Sequence, residues 1–137
     1  MKPLFSSSAA PEGVPLFAYG QLMQGQPLAW AMGREVPIQA RVRGQLWRLP
    51  SGGVLLSIDA QAGWVLGELH LDPAARTLQV LPDLLVAPGI QPSFERLRAR
   101  VGMRALFVQA WAAPAQELRQ AGAHPLRSGN WRRVAPR

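Results

Sequence analysis

The sequence predicts a single α+β domain: a curved mixed or antiparallel β-sheet, or partly closed barrel, of five to six strands with two or three short helices. Three observations carry that expectation. The chain has 137 residues, the length of one ordinary domain. Hydrophobic residues make up 48% of it and charged residues 17%, enough to bury a core. Thirteen Pro and thirteen Gly break the chain into short segments, which suits strands joined by turns and disfavours a helix bundle.

The elements follow in order. Pro15 to Tyr19 is a short apolar and aromatic run stopped by Gly20, the pattern of a buried strand entering a turn. Gln24 to Met32 reads as a short helix closed by Gly33, weakened by Gly25 and Pro27. From Val36 to Leu49, Ile38, Ala40, Val42, Gly44 and Leu46 alternate with Gln39, Arg41, Arg43 and Gln45, so a strand with one wet face is expected. Trp47 interrupts the polar face and is expected to cover a sheet edge. Pro50-Ser51-Gly52-Gly53 is a turn, Val54 to Ile58 a short strand, Asp59 to Gly63 a second turn and Trp64 to Leu71 another strand.

Asp72-Pro73 has the chemistry of a helix start, with Asp as N-cap and Pro in the first turn. Ala74, Ala75, Leu78, Leu81, Leu84 and Leu85 supply helical spacing, and Pro82 implies a break before it. Phe94 to Trp111 reads as a hairpin about Gly102-Met103, and Pro114 to Gly122 as one or two helical turns. The domain is expected to span 15–137, behind a loosely held leader from Met1 to Val14 that has no apolar stretch of signal-peptide type. With no apolar run of bilayer length and no cysteine, the expectation is a cytoplasmic protein without disulfides or thiolate metal sites.

The net charge of +7 raises an anionic partner such as nucleic acid. Its distribution tempers that reading. Residues 51–90 hold Arg76 against Asp59, Glu68, Asp72 and Asp83, and most of the excess falls in 91–137. All basic residues but Lys2 are Arg, a skew that codon usage produces by itself. Nucleic acid therefore remains a possible partner and a small-molecule ligand the favoured one. His70 and His124 stand apart without metal spacing, so no metal or cofactor is expected. Ser57 and Ser128 lack the context of a nucleophile elbow. The five Trp are read as packing residues, although Trp131-Arg132-Arg133 also has the composition of a stacking site.

Four stretches resemble one known family. Phe17-Ala18-Tyr19-Gly20-Gln21-Leu22 is similar to the Tyr-Gly-Ser/Thr-Leu signature of gamma-glutamylcyclotransferase-like (AIG2-like, BtrG-like) proteins. Gly44-Gln45-Leu46-Trp47 with Val65-Leu66-Gly67-Glu68-Leu69-His70 resembles its strand pair. Phe94-Glu95-Arg96 resembles its Tyr-x-Arg, and Ser128-Gly129-Asn130-Trp131 its C-terminal Ser-Gly-Asp-Trp. The resemblance runs from about Leu16 to Arg132. It implies a pocket in which Tyr19, Gly20, Gln21 and Leu22 hold the amino-acid end of a gamma-glutamyl amine, supported by Phe94 and Arg96. A glutamate would move protons while the substrate's α-amine attacks its own γ-carbonyl, releasing 5-oxoproline and an amine. Holding both groups together makes that attack intramolecular.

This sequence departs from the pattern where the chemistry lies. In place of a Leu-Asp-x-x-Glu-Gly stretch stands Leu81-Pro82-Asp83-Leu84-Leu85-Val86, which puts Leu85 at the glutamate's position. Neither Leu85 nor Val86 transfers a proton. A register shift about Pro82 would offer Asp83. Glu68 would serve if its strand turns it into the pocket rather than to solvent, and Glu95, next to Arg96, reads as half of a surface ion pair. The expectation is thus a homologue with its pocket retained and its base replaced, the alternatives being an active enzyme with another carboxylate or a basic polyanion-binding module.

Overall fold

The computed structural model describes residues 13–134. The expected leader, Met1 to Val14, lies almost wholly outside the described residues. The strands are β1 (Leu16–Ala18), β2 (Ile38–Arg48), β3 (Val54–Ile58), β4 (Trp64–His70), β5 (Ser93–Val101), β6 (Arg104–Ala112) and β7 (His124–Pro125). Three short helices are α1 (Ala75–Leu84), α2 (Ala115–Gln120) and α3 (Trp131–Val134).

Five strands close into a mixed barrel. β1 pairs β4, β4 pairs β2 and β2 pairs β3, all antiparallel, while β6 closes the ring through parallel pairings to β3 and β1. β5 and β7 are added strands, β5 as the hairpin partner of β6 and a neighbour of β2. Closure depends on β2 changing partners. Its first half, Ile38 to Arg43, bonds β4, and its second half, Gly44 to Arg48, bonds β3. The Arg43 carbonyl accepts from Asp59 N–H on one edge, and Gly44 N–H donates to Gly63 on the other, so the intervening turn straddles the strand. A Cβ on Gly44 would come within 2.6 Å of the Ser57 carbonyl, which is why a side chain is excluded there.

The core has two parts. Phe17, Tyr19, Val42, Leu46, Leu56, Val65, Leu69 and Val108 fill the barrel. Leu22, Met32, Trp47, Leu55, Leu81, Leu85, Phe94, Trp111 and Leu118 form a second cluster with residues from α1, α2 and the chain after β1. β1 feeds both: Leu16 and Ala18 face the second cluster, Phe17 and Tyr19 the first, so this strand is apolar without alternation.

Several local expectations are corrected. No helix spans Gln24 to Met32: two 3₁₀ turns form at Gly20–Leu22 and Ala29–Met32, separated by Gly25 at φ 80° and by Pro27. α1 is capped at Ala74 rather than Asp72, whose N–H instead donates to the Glu35 carboxylate. Pro82 lies inside α1 instead of ending it. It sits in the last turn, where one lost N–H bond is offset by the buried anchors Leu78, Leu81 and Leu85. Trp47 covers no edge: it is buried and its indole N–H donates to Ser57 Oγ at 2.9 Å.

Candidate active site

The chain leaves β1 at Tyr19 and turns at once through Gly20, whose φ of 60° suits glycine. Gly20, Gln21 and Leu22 form the 3₁₀ turn, with Leu22 N–H donating to Tyr19 and Met23 N–H to Gly20. Beside this turn is a cavity of about 310 Å³. Gln21 lines one side, the β2–β3 turn (Ser51, Gly52, Gly53) a second, and Leu84, Leu85 and Val86 at the end of α1 a third. The segments that resemble the family's signature loop and catalytic stretch therefore meet across one space. Among the described residues that line it, none is an acid, a histidine or a basic residue.

The four signature residues have different roles. Gln21 alone lines the cavity. Tyr19 is fully buried: its hydroxyl donates to the Trp111 carbonyl and accepts from Leu56 N–H at 3.1 Å, tying the turn to β6 and β3. Burial pushes the phenol well above its usual range. Gly20 makes the bend, and Leu22 anchors the turn in the second core cluster. Leu85 is buried and closes α1, its N–H donating to Leu81 at 3.0 Å.

The three carboxylate candidates are dispersed. Asp83 is exposed on the last turn of α1 and is absent from the cavity lining. Glu95 borders another hollow, with Arg96, Ser93 and Gln91. It accepts a hydrogen bond from Ser93 Oγ rather than pairing with Arg96, which corrects the expected ion pair. Phe94 supports from within, packed edge-to-face on Trp111 at 4.8 Å, while Arg96 is exposed. Glu68 is buried rather than solvated. Its carboxylate accepts from Gln24 N–H at 2.7 Å and from Arg132 at 3.4 Å, beside a third hollow shared with Asn130 and Met23.

Glu68 thereby joins a latch whose whole extent the sequence did not announce. Trp131 Nε1–H donates to Gln26, and Arg132 also donates to the Gln24 carbonyl, fastening α3 to the segment after the signature turn. Gly129 permits this: its carbonyl accepts from Leu66 N–H, and a Cβ there would stand 1.9 Å from the Trp64 carbonyl. The Ser-Gly-Asn-Trp stretch is the residual signal of that contact. His70 is buried nearby with neither ring nitrogen hydrogen-bonded, Nδ1 lying 3.8 Å from Glu35. Burial lowers its pKa, opposed by Glu35 and then Glu68. Among the described residues no cluster has the makings of a metal site.

A small closed mixed barrel, with a glycine turn after its first strand facing the end of its first helix across a cavity, defines the gamma-glutamylcyclotransferase-like class. The chain belongs to the gamma-glutamyl cyclotransferase, AIG2-like family, whose model matches residues 16–133. Solved structures agree in fold. YkqA from Bacillus subtilis superposes with a TM-score of 0.65 at 15% identity, over 88% of this chain and 40% of that one. Allophanate hydrolase from Kluyveromyces lactis gives 0.60 at 18% identity, over 83% of this chain but 19% of the hydrolase. An AIG2-like protein from Mus musculus gives 0.54 at 19% identity, over 74% and 78%. The chain thus spans less than half of the first two proteins. No curated protein matches the sequence. Among the described residues no helix is long and apolar enough to cross a membrane.

Proposed function

We propose that this chain is a divergent family member that binds a small gamma-glutamyl or amino-acid-like ligand in the cavity between Gln21 and Leu85 and does not cyclise it. The observation that carries this reading is the lining itself: the turn and the end of α1 still face each other, and among the described lining residues no titratable side chain stands between them. Forming 5-oxoproline requires the substrate's ammonium to lose a proton and the departing amine to gain one. The Leu85 and Val86 side chains do neither, and the Gln21 amide stays neutral. What remains suits recognition: an amide with a donor and an acceptor, beside the glycine backbone of the β2–β3 turn and an apolar wall.

The test pairs two assays on the purified chain, with a panel of gamma-glutamyl amines and amino acids. Calorimetric titration reads binding, and 5-oxoproline release reads turnover. Binding that weakens at least fivefold in Gln21→Ala, with no release, is the expected result. Leu85→Glu, which returns a carboxylate to the cavity wall, is expected to gain release. Release by the wild type that disappears in Glu68→Gln, Asp83→Asn or Glu95→Gln would overturn the reading and identify the base. Glu68 is the first of these to watch, since it alone touches the segment leaving the signature turn.

A further inference from the structure

The register of four strands assembles a surface whose residues take no part in lining the cavity. β4, β2, β5 and β6 lie side by side, and cross-strand partners share a face. Trp64 is opposite Arg43, Leu66 opposite Arg41, Arg41 opposite Arg100, and Arg98 opposite Phe107. The four arginines are exposed, as are Leu66 and, at 64%, Phe107. Among the described residues none of the four is ion-paired. The acids nearest these residues along the chain are already engaged: Glu35 accepts from Asp72 N–H, Asp59 from Gln61 N–H, Glu95 from Ser93 Oγ, and Glu68 from Gln24 N–H and Arg132.

Two features distinguish this face from scattered charge. Arg41 and Arg100 are directly opposed, an arrangement of like charges that destabilises a sheet unless an anion lies between them. Three of the four arginines also lie over rings. Arg41 and Arg43 lie 4.7 and 4.0 Å from the Trp64 centroid, and Arg98 lies 5.0 Å from that of Phe107. Arg43 spends one N–H on the Ala62 carbonyl, at 3.2 Å, which fixes it further. A guanidinium held over a ring keeps N–H groups for phosphate oxygens and has less rotamer freedom left to lose. Phosphate-binding arginines interleaved with exposed aromatic and apolar side chains on an open sheet are the elements of single-strand recognition.

We propose that the outer face of β4, β2, β5 and β6 is a docking surface for single-stranded nucleic acid. Arg41, Arg43, Arg98 and Arg100 contact phosphates, and Phe107 and Leu66 contact bases. A duplex keeps its bases stacked and offers the rings nothing, so single strands are preferred. This surface is separate from the Gln21–Leu85 cavity and stands or falls independently of the ligand proposed there.

The experiment is fluorescence anisotropy with the full chain, a labelled 15-nucleotide oligo(U), oligo(dT) and a 15-base-pair duplex, between 50 and 200 mM salt. Oligo(U) or oligo(dT) is expected to bind more tightly than the duplex, with log K falling against log salt at a slope of roughly −3 for four phosphate contacts. Arg41→Gln with Arg100→Gln lowers that slope by about 1.4. Phe107→Ala weakens single-strand binding about fivefold or more, leaving the slope unchanged. Arg34→Gln with Arg76→Gln, which removes the same charge away from this face, is the control. Equal losses in the control pair would overturn the proposal in favour of diffuse charge. So would absence of binding at 50 mM salt, equal binding of duplex, or tighter binding to vesicles containing 30% phosphatidylserine. All substituted side chains are exposed, and circular dichroism verifies their folding.

Discussion

Replacing Tyr19 by Phe separates a structural reading of the signature tyrosine from a ligand-binding one. The substitution removes a single oxygen from a fully buried ring and leaves the apolar packing in place. That oxygen serves two backbone groups, Leu56 N–H as acceptor and the Trp111 carbonyl as donor. Each is left buried without this partner, at about 1–3 kcal/mol apiece, so a loss of about 2–6 kcal/mol follows. At an m-value of about 2 kcal/mol/M, the urea midpoint falls by roughly 1–3 M with m unchanged. The chain contains one tyrosine, so phenolate absorbance at 295 nm reports Tyr19 alone. Its folded pKa is raised above the unfolded value near 10. The sign follows: above pH 10 the unfolded state releases the proton and the native state keeps it. Stability is therefore full below pH 10 and declines at about 1.4 kcal/mol per pH unit above it. Phenolate is expected to appear only as the fold is lost, and Tyr19→Phe is expected to lack that tyrosine-linked slope. Phenolate forming near pH 10 in a protein with a native spectrum would refute the burial argument. A Tyr19→Phe variant within about 0.5 kcal/mol of wild type that loses ligand binding would instead return Tyr19 to the binding site.

Two further outcomes test the latch and its surroundings. His70 has a lowered pKa through burial, so the unfolded state gains a proton first, and stability falls as pH drops below about 6.5; in denaturation series from pH 7.5 to 5, His70→Leu is expected to flatten that decline. Gly129→Ala places a methyl against the Trp64 carbonyl and forces α3 off β4. It is expected to cost roughly 1–3 kcal/mol or more and to raise amide exchange at Gln24 and Leu66, whereas Gly33→Ala, where a Cβ meets nothing, would carry only the penalty of its φ of 79°.

The elements that sequence reading located are those whose order is local. β3 occupies Val54–Ile58 as expected, and β2, β4, β5 and β6 differ from expectation only at their ends, because period-two alternation marks a strand with one wet face. β1 was legible for the opposite reason: both its faces are buried and it is apolar throughout. Short-range chemistry misled where tertiary contacts outweighed it. Asp72-Pro73 has good capping chemistry, yet the Glu35 carboxylate takes the Asp72 N–H and α1 begins later. Pro82 is a helix breaker by propensity and tolerable in a last turn pinned by three buried leucines.

The candidate site was legible in part for the same reason. Gln21 and Leu85 were named from motif resemblance, and barrel closure brings them to one cavity. The fate of Glu68 was not legible, since strand alternation alone gives its face but not what covers that face. Arg132 and Gln24 lie 64 and 44 residues away from it in sequence, and only the close approach that Gly129 allows brings the C-terminal segment over the carboxylate. Periodicity assigns each side chain to the inside or the outside of one element. The latch around Glu68 is made where a second element converts the outside of β4 into an interface. Gly44, Gly67 and Gly129, each packed against a neighbouring backbone where a Cβ would collide, are the trace that such crossings leave in the chain itself.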